Sequence, residues 1–193
     1  MSRVVAEVSY PTAECPEPQR WSCFDAMSAE VEVLEFLANL VLTIKPNLIV
    51  ETGTFAGYSA LYIGKALKKI GRGKLVTCEV DPRLHAAAAE LVKRNQLEDF
   101  VECRLQPSLE VKVEGEIDFL FSDSEPTLRV QEIEHFWKQL TPCSLIAIHD
   151  VNSGAHHALR REVLSLDAND KLSVVMLPTP RGLALAQKCR GRK

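Results

Sequence analysis

Two carboxylates 28 residues apart, Glu51 and Glu79, carry the densest chemistry in this sequence. Glu51 opens the stretch Glu51-Thr52-Gly53-Thr54-Phe55-Ala56-Gly57-Tyr58-Ser59, directly after the apolar run Leu48-Ile49-Val50. Gly53 can make a sharp turn that brings a ligand close to backbone, and Gly57 can keep the following segment close. A loop of this kind also suits a plain turn. Aligned from Gly53 on the dinucleotide pattern G-x-G-x-x-G, the second and third glycines are replaced by Phe55 and Tyr58. The second glycine normally makes room for a pyrophosphate, so Phe55 disfavours that group. No G-K-[ST] follows, which excludes a P-loop. An acid at the head of the loop repels phosphate and suits an ammonium group.

Glu79 lies in Thr77-Cys78-Glu79-Val80-Asp81-Pro82, at the end of a second apolar run. A carboxylate placed there can accept both hydroxyl protons of a ribose. Asp81 competes for that role, but it precedes Pro82, where an N-cap is the other use of an Asp. Together these residues want an adenosyl ligand with a ribose, a cationic tail and no phosphate. S-adenosylmethionine is such a molecule.

The elements that must hold these residues follow from periodicity. The chain has 193 residues, with 46% hydrophobic and 25% charged side chains and a net charge of −3. That suits one globular domain, not a disordered chain, and the lack of positive excess argues against a nucleic-acid wrapper. Leu34, Leu37, Val41 and Ile44 recur at helical spacing in a helix starting near Ser28 and ended by Pro46. Strands are expected at 48–50, 74–80, 101–105, 117–121 and 144–149, and helices at 59–70, 82–97, 127–140 and 153–166. Two last strands, 172–177 and 183–186, flank the turn Pro178-Thr179-Pro180-Arg181-Gly182 and must run antiparallel. Strands alternating with helices predict an α/β, doubly wound, mostly parallel sheet with helices on both faces. Residues 1–26 read as irregular, 27–188 as the domain and 189–193 as a basic tail. The six cysteines form no C-x-x-C pair, and Cys78, Cys103 and Cys143 fall in apolar runs, as small buried hydrophobes would. No signal-peptide core and no stretch long enough to span a bilayer occur, so a reduced, cytoplasmic protein is expected.

The stretch from Val50 to Leu61 closely resembles motif I of the small-molecule O-methyltransferases of the catechol and caffeoyl-CoA type. Glu79 stands where that family places its ribose-binding acid. Ile117-Asp118-Phe119-Leu120-Phe121-Ser122-Asp123 looks like its fourth-strand motif, and Ile146-Ala147-Ile148-His149-Asp150-Val151 like its fifth. The resemblance implies a class I methyltransferase, a Rossmann-like sheet of seven strands in the order 3-2-1-4-5-7-6 and S-adenosylmethionine as cofactor. It implies that Glu51, Gly53, Thr54, Phe55, Gly57, Tyr58 and Ser59 line the methionine end. Val80 beside Glu79 would contact adenosine, Gln106 and Ser108 would lie near adenine, and Met27 and Asp123 would border the reactive end. The implied partner is a small-molecule acceptor, with a homodimer left open and neither nucleic acid nor membrane expected.

Methyl transfer needs an acceptor that sheds a proton, which a base or a metal assists. Fourth and fifth strands side by side, roughly 5 Å apart, put Asp123, His149 and Asp150 on one rim as the catalytic candidates. Metal-dependent members of the resembled family hold a divalent cation, magnesium or calcium, with an Asp after strand four and an Asp-Asn pair after strand five. Asp123 and Asp150 fill two of those places; the third is Val151, with Asn152 next to it. The Lys that serves those members as base is Pro126 here. Each candidate has an ordinary alternative: Asp123 or Asp150 as a helix cap, His149 as a satisfied core imidazole, and Glu125, His156 and His157 as surface groups. A silent cofactor-binding protein and an NAD-linked oxidoreductase are the rival functions.

Overall fold

The computed structural model describes residues 20–25, 27–152, 157–169 and 171–189. In chain order the elements are α1 (Val31–Ile44), β1 (Leu48–Thr52), α2 (Tyr58–Ile70), β2 (Lys74–Glu79), α3 (Pro82–Arg94), β3 (Val101–Leu105), β4 (Ile117–Ser122), α4 (Arg129–Phe136), β5 (Leu140–His149), α5 (His157–Ala168), β6 (Leu172–Leu177) and β7 (Leu183–Lys188). They form a seven-stranded sheet in the order β3-β2-β1-β4-β5-β7-β6. The first five strands pair parallel, and β7 runs antiparallel between β5 and β6. This is the topology expected from the alternation and the short final turn.

Side chains alternate across the strands, and each set meets its own helices. Ile49, Phe119, Phe121 and Ala147 face the layer of α1, α2 and α3, where Val33, Leu37, Val41, Ile63 and Leu67 are buried. Val50, Leu120, Ile146 and Ile148 face α4 and α5, meeting Phe136, Leu159 and Val163. The central strands are thus covered on both faces, whereas the edge strands β3 and β6 are partly exposed. The carboxyl ends of β1, β2, β4 and β5 share one edge, and the sheet order reverses between β1 and β4, which is where such sheets open a crevice.

Three local expectations are corrected. Helix α1 begins at Val31 and not near Ser28, because Asp25 ties the preceding residues into a turn: its carboxylate accepts from the Met27 and Ser28 N–H groups and the Ser28 hydroxyl. Helix α4 ends at Phe136, and β5 already starts at Leu140, with Pro142 inside it. Leu140 pairs with Ile117 and Leu145 with Phe119, so the chain bulges between them. Pro142 has no N–H for the ladder; the Ser144 hydroxyl donates to the Ile117 carbonyl instead. The same bulge turns Cys143 to solvent, whereas Cys78 is buried as expected and Cys103 only partly so. The irregular segment 1–19, the start of the 153–166 helix with His156, and the basic tail from Arg190 lie outside the described residues. Among the described residues no helix is long and apolar enough to cross a membrane.

Candidate functional site

A cavity of about 460 Å³ opens at the carboxyl edge of β1, β2 and β4. The β1–α2 loop forms its floor. Gly53 sits at φ +84°, and a Cβ there would stand 2.5 Å from the Asp123 carbonyl oxygen, so only glycine lets the β1 and β4 loops close on each other. Phe55 also takes a left-handed backbone, at φ 48°. Its N–H donates to Glu79 Oε2 at 2.8 Å, while Glu79 Oε1 accepts from the Val80 and Asp81 N–H groups. Three backbone donors therefore fix the Glu79 carboxylate at the cavity wall, with lone pairs left for a ligand's hydroxyls. Asp81 is spent as the N-cap of α3, accepting from the Arg83 and Leu84 N–H groups. Of the two acids, Glu79 lines the cavity and Asp81 does not.

Of the residues expected around the cofactor, Met27, Gly53, Thr54, Phe55, Tyr58 and Ser59 line the cavity. So do Glu79, Val80, Gln106, Ser108 and Asp123. Met27 and Val80 are each 64% exposed, so both present apolar surface on the solvent side of the cavity. Tyr58 is pinned by Phe24, whose ring stacks on it at 4.1 Å, so the segment before α1 closes over this end.

Glu51 and Gly57 do not line the cavity. Gly57, at φ +87°, begins α2, and a Cβ there would meet the Ala88 Cβ at 2.9 Å; its job is the approach of α3. Glu51 is fully buried behind the wall, and neither carboxylate oxygen has a hydrogen-bond partner among the described residues. Burial pushes its carboxyl up to about 7, although the nearby Ser59 and Thr77 hydroxyls temper the rise. An orphaned buried acid beside a cavity wall attracts a cation through a low dielectric.

The opposite rim is a charge network. Asp123 Oδ1 accepts from His149 Nδ1 at 3.1 Å and pairs with Arg129 Nη2 at 3.1 Å. Arg129 Nη2 also reaches Asp150 Oδ2 at 2.9 Å, and Arg181 grips Asp150 with Nε at 2.6 Å and Nη2 at 3.1 Å. His149 Nε2 bonds Glu30 Oε2 at 2.8 Å, and Glu30 Oε1 accepts the Arg181 N–H. Arg181 Nη1 donates onward to the Met27 and Ser28 carbonyls, and Arg129 Nη1 to the His149 carbonyl. Burial alone would lower the His149 imidazole, but the Asp123 charge and its hydrogen bonds lift it to about 9. Burial would raise Asp150, yet His149, Arg129 and Arg181 bring it down to about 2. Burial likewise works to raise Glu30, and the His149 bond outweighs it and holds that carboxyl below its usual range.

The rim candidates thus separate. Asp123 and Asp150 line the cavity together with Arg129 and Arg181. His149 is completely buried with both ring nitrogens bound, so it orients Asp123 and cannot itself touch an acceptor. Asp123 caps no helix, since α4 has no side-chain cap; Asp150 bonds arginines with both oxygens, and the start of the helix expected from Ser153 lies outside the described residues. Asn152 turns away, its Oδ1 accepting from Arg160, and Val151 is core. Asp123, His149 and Asp150 have ligating atoms within 4.8 Å of one another. A divalent cation does not fit them, because Arg129 Nη2 already sits between the two carboxylates within 3.1 Å of each.

Sequence reasoning missed Glu30, Arg129, Glu132 and Arg181. Glu132 is fully buried and accepts from the Thr52 and Ser122 hydroxyls at 2.7 and 2.6 Å and from Ser124, pinning the ends of β1 and β4. The available signal was spacing: 129, 132, 133 and 136 form the inward stripe of α4, and two of the four are charged.

The crevice and its lining can be set beside known proteins. The chain is 32% identical over 124 residues to mouse catechol O-methyltransferase domain-containing protein 1, covering 61% of this chain and 47% of that protein. It is 30% identical over 132 residues to catechol O-methyltransferase of Niastella koreensis, covering 65% of this chain and 59% of that one. The chain thus spans about half the length of these curated relatives. The fold superposes on an SAH-bound methyltransferase of Podospora anserina with a TM-score of 0.75 at 21% identity, over 91% of this chain and 82% of that one. An O-methyltransferase of Bacillus cereus in complex with SAH gives a TM-score of 0.73 at 22% identity, over 85% and 84%. Residues 50–151, from the core of β1 through the β5 edge, match the methyltransferase domain family, and the chain belongs to that family.

Proposed function

We propose that this protein transfers a methyl group from S-adenosylmethionine to an oxygen of a small molecule. The observation that carries the reading is the Glu79 carboxylate, held by three backbone N–H groups at the wall of a cavity whose far rim presents Asp123. Glu79 would take the ribose hydroxyls, Val80 and Leu109 would flank adenine, and buried Glu51 behind Ser59 would favour the cationic tail. The family relatives' names, O-methyltransferases of the catechol type, support oxygen as the atom methylated.

The cofactor supplies a methyl group on a positively charged sulfur. Asp123 Oδ2 takes part in no hydrogen bond among the described residues, whereas Oδ1 is fixed by His149 and Arg129. Asp123 would accept the acceptor's hydroxyl proton as the new oxygen–carbon bond forms and the carbon–sulfur bond breaks. His149 is its positioning residue. Alignment of the three reacting atoms by the cavity walls supplies the larger share of the acceleration. A reducing, cytoplasmic setting belongs to the same proposal and is supported by the buried free thiol of Cys78.

Calorimetric titration with S-adenosylmethionine and with S-adenosylhomocysteine, followed by methyl release to a panel of hydroxylated aromatic and aliphatic acceptors, tests the reading. Binding with transfer is expected; no binding of either compound would end it. Pro126 and Val151, standing where the resemblance calls for Lys and Asn, favour one second reading, cofactor binding without turnover. Binding with no transfer to any acceptor would select it.

A further inference from the structure

We propose that the guanidinium groups of Arg129 and Arg181 occupy the place and supply the charge of a divalent cation, so that this site works without metal. The inference rests on the functional reading above and concerns how its rim is held.

Two carboxylates face each other across the rim, and two guanidiniums answer them. Arg129 Nη2 bridges Asp123 Oδ1 and Asp150 Oδ2 at 3.1 and 2.9 Å. A magnesium ion bound to both oxygens would have to lie roughly 2.1 Å from each, in space the guanidinium fills. Arg181 covers the rest of Asp150, bonding both of its oxygens. Three carboxylates, Glu30, Asp123 and Asp150, meet three cations, Arg129, Arg181 and the His149 imidazolium, so a divalent ion would add uncompensated charge to a network already balanced.

The arginines are not incidental visitors. Arg129 is 1% exposed and comes from the buried stripe of α4, and its remaining donors are spent on the Ser124 and His149 carbonyls. Arg181 sits in the β6–β7 turn, and Nη1 ties down the Met27 and Ser28 carbonyls at the cavity mouth. A mobile surface arginine would not be satisfied from both sides in this way. The third ligand position is closed as well, since Val151 is core and Asn152 is bonded to Arg160.

One consequence reaches the acceptor. A bound cation selects two adjacent oxygens by chelating both. A rim of guanidinium-neutralised carboxylates imposes no such demand, and Asp123 needs one hydroxyl. The acceptor class is therefore a single hydroxyl on a small molecule, with a vicinal diol not required.

The test is a titration of the intact protein with Mn2+, read by the paramagnetic resonance of the free ion and by the melting temperature. Wild type should neither deplete the free-ion signal nor gain melting temperature, and any weak depletion should survive Asp150→Asn. Arg129→Met vacates the space between Asp123 and Asp150, and Mn2+ should raise the melting temperature of that variant; Arg129→Gln is the milder form if the first does not fold. Depletion by wild type that Asp150→Asn abolishes would overturn the proposal. So would an arginine variant that stays indifferent to Mn2+, since the guanidinium would then not be what keeps the ion out. Calorimetry with S-adenosylhomocysteine in chelator, run on the same samples, separates the two claims. Lost cofactor binding there with no metal bound in any buffer condemns the functional reading alone.

Discussion

Glu79, Asp123 and Glu51 are three acids that the fold sends to three different uses. Glu79→Ala removes the acceptor for ribose hydroxyls and should weaken S-adenosylhomocysteine binding by about 1–3 kcal/mol, measured by calorimetry; unchanged affinity would remove Glu79 from the site. Asp123→Asn keeps the side-chain shape and should cut turnover by roughly a hundredfold or more while cofactor affinity changes little. A matching collapse of melting temperature would make Asp123 a structural anchor instead. Glu51 titrates near 7 when folded and near 4.5 when unfolded. Its folded form holds the proton more tightly, so its contribution to stability is complete below 4.5 and is lost as pH rises through 7. Between pH 5 and pH 8 the wild type should lose roughly 2–3 kcal/mol more unfolding free energy than Glu51→Gln, read by urea titration. Parallel profiles would show that the carboxyl has found a partner.

At the scale of elements, α4 is the keystone of the rim. Its inward stripe carries Arg129 toward Asp123 and Asp150, and Glu132 toward Thr52, Ser122 and Ser124. Glu132→Ala would leave buried hydroxyls without their acceptor and should cost about 3 kcal/mol in denaturant unfolding. A change under about 0.5 kcal/mol would mean that water replaces the carboxylate. This helix also shows where sequence reading stops. Its face was legible, because Ile133 and Phe136 lie on one stripe. The purpose of its charges was not, because Arg129 and Glu132 find their partners on β1, β4 and β5, far along the chain. The boundary near Pro142 was misread for a similar reason. Proline ends a helix on local grounds, but here the helix had already ended, and a bulge on the sheet absorbs the missing donor.

At the scale of the whole molecule, strand order and the position of the crevice were legible, since apolar runs and helical stripes alternate without interruption and short connections constrain topology. The loop at Gly53 and the acid at Glu79 were legible because their function depends on backbone shape and strand-end position, both local properties. The Glu30–His149–Asp123–Arg129–Asp150–Arg181 network was not, because it joins the segment before α1, two strand ends and the last turn. That network ties the cavity mouth to the far edge of the sheet. Arg181→Met should therefore speed amide hydrogen exchange in the segment 22–31, where the Val31 N–H donates to the Ser22 carbonyl; unchanged exchange would show that Asp25 and Phe24 suffice to hold it. A crystal structure of the protein with S-adenosylhomocysteine goes to the heart of the account. The prediction is a ribose on Glu79, adenine beside Val80 and sulfur turned toward Asp123. A cavity left vacant at saturating ligand, or a ligand seated elsewhere on the molecule, would contradict it.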